Sequence, residues 1–309
     1  MRRCRGRSHH LALLAAIASL AAGCAGSGGA GPKDTLRTLT RQPTASAPAA
    51  TPSAAKPRAV TSPFASRRLR SYLASRSGDV TAALYDARTQ RTWLLHPRSA
   101  QDTASIVKVE IMGTALQEAA AAGRALPAAE AELMPSMIEN SDNDSATALL
   151  ADVGGPAALA RFDRSAGMTD TTPSTLALIP GTSLPGWGLT TTTALDEVTL
   201  VSKFAYPNAV LSGASRHYGL SLMEHVEADQ DWGVSGGVPA GTTVALKNGW
   251  LPLGPSDWQV NSIGWIFGHG RNYVLAVLTR GSPTEAYGIE TVETIARDVY
   301  RSRASDPRR

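Results

Sequence analysis

The chain has 309 residues, 43% hydrophobic and 18% charged, enough apolar material for one or two globular domains. Its net charge of +4 is split, because residues 1–63 carry nine Lys/Arg against one acid, Asp34, and residues 64–309 carry 21 Lys/Arg against 25 Asp/Glu. The long C-terminal part is therefore mildly acidic, which argues against a nucleic-acid binder, and with Cys4 and Cys24 the only cysteines it holds no disulfide framework or Cys-based metal site.

Residues 1–10 are a basic leader and residues 11–22 an apolar run of twelve, too short for an ordinary membrane span. With Gly23-Cys24 behind it, this is the layout of a secretory signal peptide over residues 1–24. The stretch Leu20-Ala21-Ala22-Gly23-Cys24 also resembles a bacterial lipobox, although the large aliphatic residue, Leu20, sits one place early. The resemblance implies lipidation at Cys24 and an extracytoplasmic, membrane-anchored protein; the alternative is an ordinary cleavage site. Residues 25–63 are rich in Ala, Ser, Thr, Pro and Gly and have almost no large apolar side chains, so they cannot offset chain entropy by burial. They read as a disordered tether with a mean span of roughly 35 Å.

The folded domain is expected over residues 64–302, with 303–309 as a tail. Phe64, Leu69, Tyr72 and Leu73 predict a short helix over 64–76. Val80–Asp86 and Arg91–His96 predict a hairpin. Ile106, Val109, Met112 and Leu116 form one stripe of a helix from Ser105 to about Ala122, stopped by Gly123. Residues 126–165 read as helix in pieces, broken at Gly154-Gly155-Pro156, and 167–192 as a long irregular loop. Helices follow at Ala194–Ala205 and near Ser215–Val226. Strands are then predicted at Thr243–Asn248, Gln259–Phe267 and Tyr273–Leu278, and a last helix over about Thr284–Ser302. Strands at both ends with helices between predict an α/β domain: an antiparallel sheet built from both ends, flanked by helices, with an all-helical insert.

Three short motifs can carry chemistry. Ser105-Ile106-Val107-Lys108 is an S-x-x-K, which sets an amine and a hydroxyl on one helical face beside a helix N-terminus. Ser53-Ala54-Ala55-Lys56 in the tether matches too, so one copy is weak evidence. Ser141-Asp142-Asn143 is rarer, with roughly 0.03 copies expected by chance, although each residue is also a good helix cap. Lys247-Asn248-Gly249 reads as the end of a strand, and in isolation as a plain exit into a turn.

In this order the three motifs resemble the set that marks class A β-lactamases and penicillin-binding proteins, over essentially the whole of residues 64–302. The chain is most similar to class A-like serine hydrolases, often lipoproteins, whose third motif reads K-N-G-W. The resemblance implies a β-lactamase/DD-peptidase-like fold and serine acyl transfer without a cofactor. It implies Ser105 as nucleophile, Lys108 as its proton acceptor or a member of the proton relay, and Ser141 as proton shuttle to the leaving nitrogen. Asn143, Lys247 and Asn248 would bind substrate, and the N–H groups of Ser105 and of Trp250, after Gly249, would form the oxyanion hole. The implied substrate is a β-lactam or a peptidoglycan stem peptide. A cell-wall D-Ala-D-Ala peptidase is the runner-up, and a decayed muropeptide-binding lipoprotein a third reading.

Three departures stand out. Asn248 replaces the usual Thr or Ser, and the stretch between Lys108 and Ser141 is shorter than in typical class A enzymes. Class A enzymes carry a water-activating Glu with a nearby Asn in the loop after S-D-N, whereas residues 167–193 hold neither and only one acid, Asp170, one carbon short in reach. Two lysines then share a pocket with few anions, so Lys108 is expected to be more readily neutral and deacylation to be slow. Other signals are set aside. Gly233-Val234-Ser235-Gly236-Gly237 lacks the strand–turn–helix context of a nucleophile elbow, and His96, His217, His225 and His269 show no metal-ligand spacing. Glu139 reads as solvated and Asp142 as a cap.

Overall fold

The computed structural model describes residues 61–97 and 99–304. The signal peptide, Cys24 and almost all of the tether, as well as the end of the tail, lie outside these residues. Alternation of apolar side chains explains the central sheet. In β1 (Asp79–Asp86) Ala82 and Leu84 join one core while Ala83 joins the other. In β7 (Arg271–Ser282) Tyr273, Leu275 and Val277 face one way and Val274, Ala276 and Leu278 the other. A continuous apolar run of this kind suits a strand covered on both faces. β2 is Arg91–Leu95, β5 Thr243–Gly254 and β6 Asp257–Gly268. The five strands are antiparallel in the order β2-β1-β7-β6-β5, so the first strand of the domain lies beside the last. This is the expected sheet built from both ends, in an α/β fold.

On one face α8 (Glu285–Ala304) presents Val292, Ile295, Ala296, Val299 and Tyr300 at helical spacing to the sheet. The short α1 (Arg67–Leu73), after a 3₁₀ turn at Pro63–Ala65, adds Leu69. The other face carries the helical insert: α2 (Val107–Ala121), α3 (Ala128–Glu139), α4 (Asn143–Asp152), α5 (Pro156–Ala166), α6 (Ala194–Ala205) and α7 (Gly213–Met223). α2 is central and buried on nearly every side, which is why its apolar stripe is so broad. β3 (Gln101–Asp102) and β4 (Thr191–Thr192) pair in a separate two-stranded ladder.

Several boundaries differ from expectation. Ser105 belongs not to α2 but to a separate 3₁₀ turn, Ala104–Ile106, entered through Ala104 at φ 49°. Positive φ at a non-glycine residue is held by its surroundings, here by tertiary contacts that local propensity does not report. β5 runs to Gly254, so Lys247 lies within the strand rather than at its end. Gly249 and Pro252 read as breakers, yet β5 is an edge strand, where a proline costs no ladder bond on its open side. β7 likewise extends beyond Leu278 to Ser282.

Asn261 on β6 ties the sheet to the nucleophile turn. Its fully buried amide donates to Asp102 O at 2.8 Å and Thr103 O at 3.0 Å and accepts from Thr279 N at 3.0 Å. Asn261→Ala leaves three backbone groups short of a partner, and is expected to lower unfolding free energy by about 2–4 kcal/mol in urea melts.

Candidate active site

The 3₁₀ turn carrying Ser105 lies against β5. A methyl group at Gly249 would stand 2.6 Å from Ser105 N and 2.9 Å from Ile106 N, so only glycine permits this approach. The approach brings the lysine of β5 and the lysine of α2 to one point. Lys108 Nζ lies 3.1 Å from Ser105 Oγ, 2.5 Å from Ser141 O, 3.1 Å from Ser141 Oγ and 2.8 Å from Asn143 Oδ1. Lys247 Nζ donates to the same Ser141 Oγ at 2.8 Å and to Asn248 O at 3.0 Å. Ser141 sits between α3 and α4 at φ 55°, a second strained residue at the point of convergence. Asp142 caps α4 by accepting from Ser145 N at 2.7 Å, which fixes Asn143 at the first helical position.

Burial pushes the Lys108 ammonium down to about 7, against a smaller upward pull from Asp142. Lys247, fully buried, is pushed well below the usual lysine range by desolvation and then by Lys108. A neutral Lys108 fits its neighbours. Its two hydrogens serve Ser141 O and Asn143 Oδ1, which only accept, and its lone pair is left for a serine hydroxyl. The arrangement can therefore take a proton from Ser105 as that oxygen attacks.

A cleft of about 50 Å³ opens over Ser105. Its walls are mostly apolar, with Ile179, Leu184, Trp187 and Leu251 among them, and Asn143 and Trp250 also reach it. Asn248, expected among the substrate ligands, is buried beside the loop before β5. Its buried amide donates to Gln230 O at 2.7 Å and Trp232 O at 2.9 Å, so both hydrogens are taken by the loop before β5. Alternation along the strand turns it to the opposite face from Lys247. Asp170 is exposed and is not among the residues lining the cleft; its backbone N–H donates to Asp196. Among the described residues that line the cleft, none is an acid.

Two features escaped the sequence reading. One is Trp187, in a 3₁₀ turn at Gly186–Leu189, whose ring centre is 5.0 Å from Lys108 Nζ. The other is a group of buried acids, Glu110 on α2, Asp163 on α5 and Glu197 on α6. Glu110 and Glu197 stand in the first turns of their helices, an ordinary place for an acid, so nothing local marks their burial. Burial, then the neighbouring Asp163 and Glu197, raises Glu110 well above the carboxylate range. Burial raises Asp163 to about 7 and Glu197 to about 8. Among the described residues no cluster of three His, Cys, Asp or Glu is arranged to hold a metal.

These geometries define a serine hydrolase of β-lactamase-like fold. The Beta-lactamase enzyme family model (Beta-lactamase2) matches residues 129–302, more than half of the chain, and the chain belongs to that family. Among solved structures, an ancestral (GNCA) class A β-lactamase is 22% identical with a TM-score of 0.66, over 76% of this chain and 98% of its own. The TLA-1 extended-spectrum β-lactamase is 19% identical with a TM-score of 0.67, over 76% and 96%. A class A β-lactamase representative from Bacteroides cellulosilyticus is 19% identical with a TM-score of 0.66, over 78% and 97%. At such identities the likeness is one of fold. No curated protein matches the sequence.

The raised acids carry a stability consequence with a definite sign. A carboxyl that ionises later in the folded than in the unfolded chain binds more protons when folded, so stability falls as pH rises between the two values. The acids are expected to lower the melting temperature as pH rises from about 5 to about 8, while the depressed Lys108 and Lys247 act with the opposite sign, so the acid contribution is read as a difference: relative to wild type, Glu197→Gln is expected to lose less stability as pH rises across this range. A scanning-calorimetry series across this range checks it.

Proposed function

We propose that the protein is an extracytoplasmic serine hydrolase, anchored through a lipid at Cys24, whose Ser105 is acylated by β-lactams or related amides and is slowly freed. The observation that carries this reading is the single nitrogen, Lys108 Nζ, within hydrogen-bond reach of both Ser105 Oγ and Ser141 Oγ. Ser105 Oγ attacks the carbonyl carbon and its proton passes to neutral Lys108. The backbone N–H groups of Ser105 and Trp250 hold the oxyanion, each worth about 3–4 kcal/mol in the transition state. Ser141 then delivers a proton to the departing nitrogen and is replenished from Lys108. The substrate carboxylate meets Lys247, whose ammonium form it favours, and Asn143 holds the substrate amide. Asn248 braces β5 against the preceding loop through Gln230 O and Trp232 O.

The loop without Glu also favours a second reading, a cell-wall peptidase acting on D-Ala-D-Ala stems that a tethered domain reaches above a membrane. Both readings share the acyl-enzyme and differ in its fate. Whole-protein mass spectrometry with penicillin is expected to show one covalent adduct on the wild type and none on Ser105→Ala. Turnover of the adduct marks a lactamase, its persistence a peptidase, and no adduct a binding protein, which would overturn the proposal. The acylation rate is expected to rise with pH through about 7 and then level off, because the neutral form of Lys108 is the base. Lys108→Ala is expected to slow acylation by about 10²–10⁴-fold in stopped-flow measurements.

A further inference from the structure

Hydrolysis of an ester on Ser105 needs a water beside its carbonyl and a base in contact with that water. The loop that supplies such a base in class A enzymes brings an indole here. Trp187 is buried, lines the cleft with Ser105 and Asn143, and stands with its ring centre 5.0 Å from Lys108 Nζ. Its Nε1–H donates to Thr147 Oγ1 at 3.1 Å. The ring therefore offers the cleft only its apolar face, and an indole cannot accept a proton in any case.

The backbone holds Trp187 in place from both sides. Thr103 N donates to Thr190 O at 2.8 Å, joining the 3₁₀ turn of Trp187 to the segment before Ser105. Gly186 N donates to Ala177 O at 2.9 Å, and a side chain at Gly186 would strike Leu176 O at 2.1 Å. The loop 176–186 thus backs closely onto the turn. Ile179, Leu184 and Leu251 continue the apolar wall.

We infer that Trp187 is the positioning residue that sets the lifetime of the acyl-enzyme, by keeping hydrolytic water away from the Ser105 ester and from Lys108. This rests on the proposed acylation at Ser105 and adds a determinant of its breakdown. In the breakdown step, water oxygen bonds to the carbonyl carbon, the ester bond to Ser105 Oγ breaks, and one water proton returns to Ser105. The ring obstructs the approach of that water, not the chemistry of the first step.

The test follows acylation and deacylation separately in the full chain, with benzylpenicillin and timed intact-mass spectra. The wild-type adduct is expected to persist for hours. Trp187→Phe, which keeps an apolar ring, is expected to retain it. Trp187→Ala, which opens the wall, is expected to raise the ratio of deacylation to acylation by about tenfold. Trp187→Glu, which puts a base in the wall, is expected to raise it by about a hundredfold and to give deacylation a pH limb that the wild type lacks. An adduct on the wild type that turns over within seconds overturns the inference even if no variant folds. So do folded Ala and Glu variants whose adducts last as long as the wild type's. Both results leave acylation at Ser105 standing, whereas the absence of any wild-type adduct removes the proposed function and this inference together.

Discussion

Two amines converge on the hydroxyl of Ser141, and both are shut off from water. Two full charges at that separation in a dry pocket repel strongly, so burial favours the state in which at least one amine is neutral. The rest of the site is arranged around this constraint. Ser141 O and Asn143 Oδ1 take the two hydrogens of Lys108, and a serine hydroxyl takes its lone pair. The strained backbone at Ala104 and Ser141 is the cost of placing both hydroxyls within reach of one nitrogen.

The sheet makes the convergence possible. It separates the two large apolar cores, one under α8 and one under the helical insert. α2 crosses the second core and brings Lys108 from the insert, while β5 brings Lys247 from the sheet edge. The turn between them is clamped by Asn261 and by the missing side chain of Gly249. A site assembled from two layers needs such fixed points, since sub-ångström shifts decide whether a proton is within reach.

Much of this was legible in the residues. Period-2 alternation in β1, the helical stripe of α8 and the bounds of Ala194–Ala205 follow from local pattern. The meeting of Ser105, Lys108, Ser141 and Lys247 follows from three motifs in a known order, and not from their spacing. What was illegible depends on contacts far apart in sequence. Ser105 leaves its helix because β5 presses on it. The amide of Asn248 is taken up by Gln230 O and Trp232 O, in a loop that no pattern in β5 announces. Trp187 lies in a loop with no periodicity to read. Glu110, Asp163 and Glu197 sit on three helices whose packing no local pattern reveals.

The pairing of β1 with β7 has a consequence for how the chain reaches this state. Ala82 finds its neighbour in Val277, close to the other end of the domain. The middle of the sheet therefore stays open until nearly all of the domain has been made, and the helices of the insert have no complete floor to settle on before then. Such distant pairing slows folding and makes it a late, concerted event. Cutting away the final strand and helix would remove the floor from under the nucleophile as surely as altering the nucleophile itself.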